Sequence, residues 1–176
     1  MNIQYLLDKT ALKNIIPQQP PMLFIDGLID CDIEKTRGRC GLLVGENFNV
    51  ALNADLSLPT YALIEMMAQT AAATIYSTVV KNNQLPPVKG LLLSVRNFKN
   101  YRNSPIPKGE YLIANSTLEY SDENFKQVTA NVVSNQIIIS EATLTVYAPP
   151  PKTRKPHDKK STDNRFRNRN RKINCN

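Results

Sequence analysis

The stretch that most constrains the fold is LPTYALIEMMAQTAAA, because Glu65 is the only charged residue between positions 56 and 80. Pro59 suits the first turn of a helix, where its missing N–H costs nothing, and Ser57 is placed to cap that helix. The pattern predicts a helix from about Pro59 to Val80. A helix that is neutral on all sides is typical of a buried helix, so other elements must enclose it.

Glu65 is an unusual residue for such a helix. Helical spacing places it near one side together with Tyr61, Gln69 and Tyr76, in a narrow polar stripe. A solvated helix face normally carries several Lys and Glu residues, and this helix has no other charge. A buried carboxylate must be satisfied by hydrogen bonds or hold its proton. Glu65 is therefore either a general acid or a structural carboxylate.

The remaining segments predict a sheet around this helix. A short amphipathic helix is predicted over about Tyr5 to Asn14, followed by two strands in MLFIDGLIDCDIE and TRGRCGLLVG. After Pro87, four β runs read as an antiparallel meander: VKGLLLSVRNFKNY, EYLIANSTLEY, KQVTANVVS and IIISEATLTVY. The small side chains of Ala68, Ala71, Ala72 and Ala73 would let a sheet approach closely. We expect an α+β fold in which a curved sheet wraps one central helix.

The charge divides the chain into two parts. Ten of the 22 Lys and Arg residues follow position 150, against only two Asp residues, so residues 1–150 are nearly neutral. We therefore expect one domain over residues 1–150 and a basic, disordered tail over 151–176, which is too poor in apolar side chains to fold alone. The tail is either a solvated extension or a non-specific contact for nucleic acid.

Few features suggest a cofactor or a membrane. Cys31, Cys40 and Cys175 have no CxxC spacing, and the only histidine, His157, lies in the tail, so we expect free thiols and no metal or other cofactor. No apolar run is long enough to cross a bilayer, and the N-terminus does not resemble a signal peptide. We expect a cytoplasmic protein.

Three motifs carry a family resemblance: IIPQQPPMLFIDGL, NADLSLPTYALIEMMAQTAAA and LLLSVRNF. Together they resemble the hotdog-fold 3-hydroxyacyl-[acyl-carrier-protein] dehydratases of fatty acid biosynthesis, and most closely the short-loop dehydratase-like component of aryl polyene-type pathways. The resemblance covers about Ile15 to Pro150. Its most specific part is the helix motif from Glu65 to Gln69.

The resemblance implies a hotdog fold and a dimer in which both subunits build each site. In the family, a histidine base takes the α-proton of the acyl thioester, and a glutamate at the position of Glu65 protonates the leaving hydroxyl. A backbone N–H near Thr60 would polarise the thioester carbonyl. Tyr61 and Gln69 would also contact the substrate, and the acyl chain would lie in an apolar tunnel along the helix.

The chain departs from this pattern at the base. Ser57 stands where the histidine is expected, and a serine hydroxyl cannot act as that base by itself. A second family histidine corresponds to Gln18. Asp55 and Tyr61 are near enough in sequence to replace the base, although Asp55 reads better as a loop or capping residue. Two interpretations follow. The chain is a dehydratase that is weakly active alone or active with a homologous subunit that supplies the histidine, or it is a non-catalytic hotdog subunit that binds acyl chains or stabilises a pathway complex.

The charges after Glu65 suggest the partner. No acidic residue occurs between Glu65 and Glu110, whereas six basic residues do: Lys81, Lys89, Arg96, Lys99, Arg102 and Lys108. A basic surface would attract an acidic acyl carrier protein. The alternative is that these residues are ordinary polar side chains on exposed strands and loops.

Overall fold

The structure, a computed structural model, describes residues 3–45, 57–81 and 90–147. The predictions for Asp55, Lys89, Cys175, His157 and the basic tail lie outside these ranges. The described elements are β1 (Leu7–Asp8), α1 (Lys9–Leu12), β2 (Gly27–Asp32), β3 (Arg37–Leu43), α2 (Ala62–Lys81), β4 (Leu91–Asn100), β5 (Tyr111–Ser121), β6 (Phe125–Ser134) and β7 (Ile137–Tyr147). The strands form one antiparallel sheet in the order β1-β2-β3-β5-β6-β7-β4.

The sheet packs against α2, which is buried along most of its length. Leu63, Met66 and Met67 are fully buried in the core beneath the sheet. The inward side chains of β6 alternate with outward ones, as the sequence predicted, because successive residues of a strand point to opposite faces. This arrangement of one buried helix in a curved antiparallel sheet confirms the predicted α+β hotdog fold.

Close contact between α2 and the sheet depends on a small residue in β3. A Cβ atom at Gly38 would meet the side chain of Thr74, so only glycine allows the strand to lie this near the helix. The Thr74 hydroxyl lies 2.9 Å from the Ser116 hydroxyl on β5, and this hydrogen bond satisfies two buried polar groups.

The start of α2 differs from the prediction. The helix begins at Ala62 rather than Pro59, after a tight turn in which the Ala62 N–H donates to the carbonyl of Pro59. Leu58 forms an antiparallel bridge with Ile106. The predicted N-cap role of Ser57 is wrong, because this backbone pairing holds the serine in an extended segment several residues before the helix.

The N-terminal helix is much shorter than predicted. Only Lys9 to Leu12 are helical, and the Asp8 side chain accepts a hydrogen bond from the Ala11 N–H at its start. Leu7 and Asp8 pair instead with β2. The amphipathic pattern was misread because part of it comes from a short strand at the sheet edge.

The predicted four-strand meander is correct only for β5, β6 and β7. β4 pairs with β7 at one edge of the sheet, whereas β5 lies between β3 and β6. The segment after β4 runs back past Leu58, where Ile106 pairs with it, before β5 begins. β4 therefore leaves one side without a strand partner among the described residues.

The described residues include no helix long and apolar enough to span a bilayer. Cys31 and Cys40 are buried, and neither forms a disulfide within the described residues. In the same parts of the chain, no three His, Cys, Asp or Glu side chains lie close enough together to bind a metal ion.

Candidate active site

The Gln69 side chain connects Glu65 to the loop before β2. Its oxygen accepts a 2.7 Å hydrogen bond from the Phe24 N–H, and its nitrogen donates to the Met22 carbonyl at 2.6 Å and to Glu65 Oε1 at 2.7 Å. Gln69 is fully buried, whereas Glu65 is half-buried. The loop, the helix and the carboxylate are therefore held together by one amide group.

This network fixes the orientation of both side chains. Because the Phe24 N–H is only a donor, the Gln69 oxygen must face it, and the two amide hydrogens must point to Met22 and Glu65. Glu65 Oε1 is thus an acceptor. When Glu65 carries a proton, that proton lies on Oε2.

A groove of about 510 Å³, including the open space at its mouth, runs along this side of α2. The wall formed by α2 consists of side chains that recur every three or four residues and so lie on one face of the helix. Two of them are alanines, whose small side chains leave space for the groove. These side chains belong to Glu65, Ala68, Ala72, Ile75 and Tyr76. The opposite wall comes from the loop before β2 and from the ends of β4 and β7: Pro17, Gln18, Gly90, Leu91, Leu92, Val146 and Tyr147.

The two ends of the groove differ. Glu65 supplies a carboxylate at one end of the helical wall, whereas Tyr76 contributes a buried phenol three helical turns along. Gln18 adds an amide from the loop before β2. Burial raises the pKa of the Tyr76 hydroxyl, which keeps it protonated. Gly90 leaves space for that hydroxyl, since a Cβ atom there would lie 3.0 Å from the Tyr76 oxygen. The middle of the groove is apolar.

Gln18 has an unusual environment among the residues that line the groove. Its Oε1 atom is buried and has no hydrogen-bond partner among the described residues. A buried acceptor without a partner is rare, because it loses its bond to water without replacement.

The other predicted site residues lie outside the groove lining. Ser57 is buried, Thr60 is half-buried and Tyr61 is 70% exposed in the turn before α2. Gln69 lies behind Glu65, and its amide is already bonded to the protein. The structure therefore brings Glu65 and Gln69 into direct contact and leaves Ser57, Thr60 and Tyr61 on the segment that leads into the helix.

The predicted basic surface is partly neutralised. Lys99 pairs with Glu141 at 2.9 Å, and Arg102 pairs with Glu110. These glutamates follow the basic stretch in sequence and reach it only because β7 lies beside β4 and because the chain turns back before β5. Arg96 and Lys81 are exposed.

Sequence reasoning missed most of the groove wall. The spacing of Ala68 and Ala72 was a usable signal, because small residues one turn apart mark a helix face that leaves space. The contributions of Leu91 and Val146 had no comparable signal, since they depend on the pairing of β4 with β7.

Comparison with known proteins agrees with the fold. A subunit of the dehydratase heterocomplex ApeI:P from Xenorhabdus doucetiae superposes with a TM-score of 0.73 at 22% identity, over 83% of this chain and 93% of that one. A putative thioesterase from Ralstonia eutropha JMP134, a phenylacetic acid degradation-related protein, superposes with a TM-score of 0.54 at 17% identity, over 69% of this chain and 83% of that one. Both similarities concern the fold.

Two sequence matches bear on the family. An uncharacterised thioester dehydrase of Halalkalibacterium halodurans is 31% identical over 88 residues, which are 48% of this chain and 53% of that protein, so the chain matches about half the length of this relative. The family model described as ApeP-like, ApeP dehydratase, matches residues 10–157, a span that contains the helix, the groove and every strand from β2 to β7. The chain belongs to the ApeP-like dehydratase family.

Proposed function

We propose that the chain is a subunit of a 3-hydroxyacyl-thioester dehydratase in which Glu65 is the general acid. The observation that carries the proposal is the position of Glu65 at one end of a groove with an apolar middle, with its carboxylate held by Gln69. A groove that runs along Ala68 and Ala72 suits a linear acyl chain. The thioester and the 3-hydroxyl group would then lie beside the carboxylate.

The proposed reaction is an elimination of water. A base removes the α-proton of the 3-hydroxyacyl thioester, the carbon–carbon double bond forms, and the C3–O bond breaks. Glu65 donates its proton from Oε2 to the departing hydroxyl, which leaves as water. Gln69 holds Oε1, so the proton is presented from a fixed direction.

This chain has no histidine at the position where the family resemblance expects the catalytic base. Ser57 stands at the position that the resemblance gives to histidine, and it is buried before α2. We therefore assign the base to a second hotdog subunit. The related ApeI:P protein from Xenorhabdus doucetiae is a dehydratase heterocomplex, which supports a pairing of this kind.

The side of β4 that pairs with no other described strand is the proposed contact for that subunit. β4 is the last strand of the sheet, and its residues Leu91, Leu92 and Leu93 are 55%, 40% and 51% exposed. Exposed apolar side chains on a strand edge favour pairing with another strand. Because Leu91 and Leu92 also line the groove, a subunit paired here would lie beside the substrate.

An acyl carrier protein is the proposed donor of the substrate. Arg96 on β4 and Lys81 at the end of α2 are exposed and belong to the two elements that carry groove-lining residues, whereas Lys99 and Arg102 are paired with glutamates. This leaves a smaller basic surface than the sequence suggested, and it would mainly steer the encounter with an acidic partner.

The second candidate function is a non-catalytic subunit that binds acyl chains. Ser57 favours this function. A serine in place of the histidine base removes one reacting group but leaves the groove intact. In that case Glu65 would be a structural carboxylate that satisfies the Gln69 amide.

Formation of the enoyl thioester from a 3-hydroxyacyl thioester tests the two functions. We would measure it for the wild-type chain and for Glu65→Gln, each alone and mixed with a histidine-bearing hotdog partner. Glu34→Gln, an exposed change between β2 and β3, is the matched control. We expect slow turnover alone, restored turnover in the mixture, and loss of the restored part on the order of 10²-fold or more in Glu65→Gln. Full activity of Glu65→Gln in the mixture would exclude the catalytic role and leave the binding function.

A further inference from the structure

We infer that Gln18 recognises the 3-hydroxyl group of the substrate and thereby selects 3-hydroxyacyl thioesters over saturated ones. The inference rests on the proposed function, since it concerns the same groove. It assigns a role to a residue that the proposed reaction does not use.

Gln18 and Glu65 belong to two segments that are bound to each other. Both residues line the groove. Gln18 lies in the loop before β2, and the same loop is bound to α2 a few residues later by the hydrogen bonds of Gln69 to Met22 and Phe24. Gln18 and Glu65 therefore line the groove from the loop and from the helix, two segments that one buried amide holds together.

The unpartnered oxygen indicates the kind of ligand. Gln18 Oε1 is a buried acceptor without a donor among the described residues. A ligand that donates a hydrogen bond to this oxygen would offset the free energy that it loses by being separated from water. The terminal torsion of glutamine is broad, so binding of such a ligand would involve a rotation that turns this buried oxygen toward the groove. A hydroxyl group on an otherwise apolar chain is a suitable donor.

A 3-hydroxyl group can form hydrogen bonds with both Gln18 and Glu65. It has one hydrogen to donate and lone pairs that accept. It would donate to Gln18 Oε1 and accept from the protonated Oε2 of Glu65. When the C3–O bond breaks and Glu65 transfers its proton, the oxygen leaves as water and keeps its hydrogen bond to Gln18. A saturated chain would instead leave the glutamine oxygen unpaired, and such a mismatch is an effective source of discrimination.

The test compares the binding of two ligands that differ only in the hydroxyl group. Calorimetry would give the dissociation constants of 3-hydroxyoctanoyl pantetheine and octanoyl pantetheine for the full chain, in which dehydration without a partner is expected to be slow. The variant is Gln18→Met, which keeps the length of the side chain and removes the acceptor. Gln127→Met, an exposed change on β6, is the control.

We expect the wild-type chain and the control to prefer the hydroxylated ligand by about three- to tenfold. In Gln18→Met the preference should fall to about one, with no loss of affinity for the saturated ligand. The melting temperature of Gln18→Met should be unchanged or higher, because no hydrogen bond is lost in the free protein.

Two outcomes would overturn the inference alone: equal affinity of the wild-type chain for both ligands, or an unchanged preference in Gln18→Met. A marked loss of stability in the variant would also overturn it, since the oxygen would then serve the fold. If the wild-type chain binds neither thioester, the acyl groove and the proposed function fail together with the inference.

Discussion

The amide nitrogen of Gln69 lies 2.7 Å from the carboxylate of Glu65, one helical turn away, while the same amide binds the backbone of the loop before β2. The position of the carboxylate therefore depends on a residue that does not line the groove. Gln69 was expected to contact the substrate, but its polar atoms are occupied within the protein. We regard it as a positioning residue.

Replacing Gln69 by Leu should destabilise the fold and disturb Glu65. The change removes the Gln69 acceptor from the buried Phe24 N–H, at about 1–3 kcal/mol, and one donor from the part-buried Met22 carbonyl, which water can still reach. We therefore expect a loss of about 1–3 kcal/mol in the free energy of unfolding by urea. Thr78→Val is the control, since that hydroxyl bonds only to a carbonyl of its own helix. A loss of less than about 0.5 kcal/mol in the free energy of unfolding would contradict this account.

Introducing a histidine at the position of Ser57 should give the chain its own base. We expect Ser57→His to raise dehydration by the isolated chain on the order of 10²-fold, because a positioned base contributes about that much. Ser57→Ala, which adds no base, should stay at the wild-type rate. A folded Ser57→His chain with no gain would show that the segment before α2 does not bring this residue to the α-carbon.

A larger side chain at Ala72 should shorten the acyl chains that the groove accepts. Ala72 lies on the groove wall about two turns beyond Glu65, and leucine is compatible with the helix. In a series of saturated acyl pantetheines, Ala72→Leu should weaken the binding of long chains and spare short ones. Thr78→Leu, on a part of α2 that does not line the groove, should leave the series unchanged. If both variants show the same dependence of affinity on acyl length, the acyl chain does not bind along Ala72.

The Cys40 thiol should be unreactive in the folded protein. Burial raises its pKa to about 12, despite a hydrogen bond with Thr70 that acts in the opposite direction. At pH 8 only a fraction on the order of 10⁻⁴ would be thiolate, so iodoacetamide should label neither Cys31 nor Cys40 in a native Cys175→Ser variant. Both should react after unfolding in urea. Rapid native labelling would mean that β2 and β3 open readily.

Glu110 should make stability depend on acid pH. Partial burial disfavours its charge, but hydrogen bonds from Arg102 and Ser134 outweigh that effect and lower the pKa of the carboxyl. A lowered folded-state pKa stabilises the protein above the unfolded-state value, and this contribution disappears as the pH falls through the lower folded value. Glu110→Gln should thus cost about 1 kcal/mol at pH 7, and the difference should shrink below about pH 4.

Urea unfolding of wild type and Glu110→Gln at pH 7 and pH 3 would measure this effect. Glu123→Gln, in the exposed turn between β5 and β6, should show no gap at either pH. A gap of equal size at pH 3 and pH 7 would assign the loss to packing rather than to ionisation.

The sequence was informative where a pattern is local. A neutral helix with one carboxylate predicts burial, and alternation in β6 predicts which face is covered, because both depend on residues a few positions apart. The partners of Gln69 and the position of β4 were not predictable in this way. They depend on contacts between segments more than forty residues apart, which are set by how the chain crosses the sheet.

The edge position of β4 also bears on how the protein folds. Leu91 pairs with Tyr147, so β4 must wait until β5, β6 and β7 have been synthesised before its partner exists. Closing so long a loop is entropically costly, and contacts of high sequence separation slow folding. The three-strand meander can form first from local hairpins, one of them closed by a two-residue turn at Asn135 and Gln136. The groove would then be completed in the last step, when β4 docks onto β7, and the strand that finishes the monomer would also be the strand left open to a second subunit.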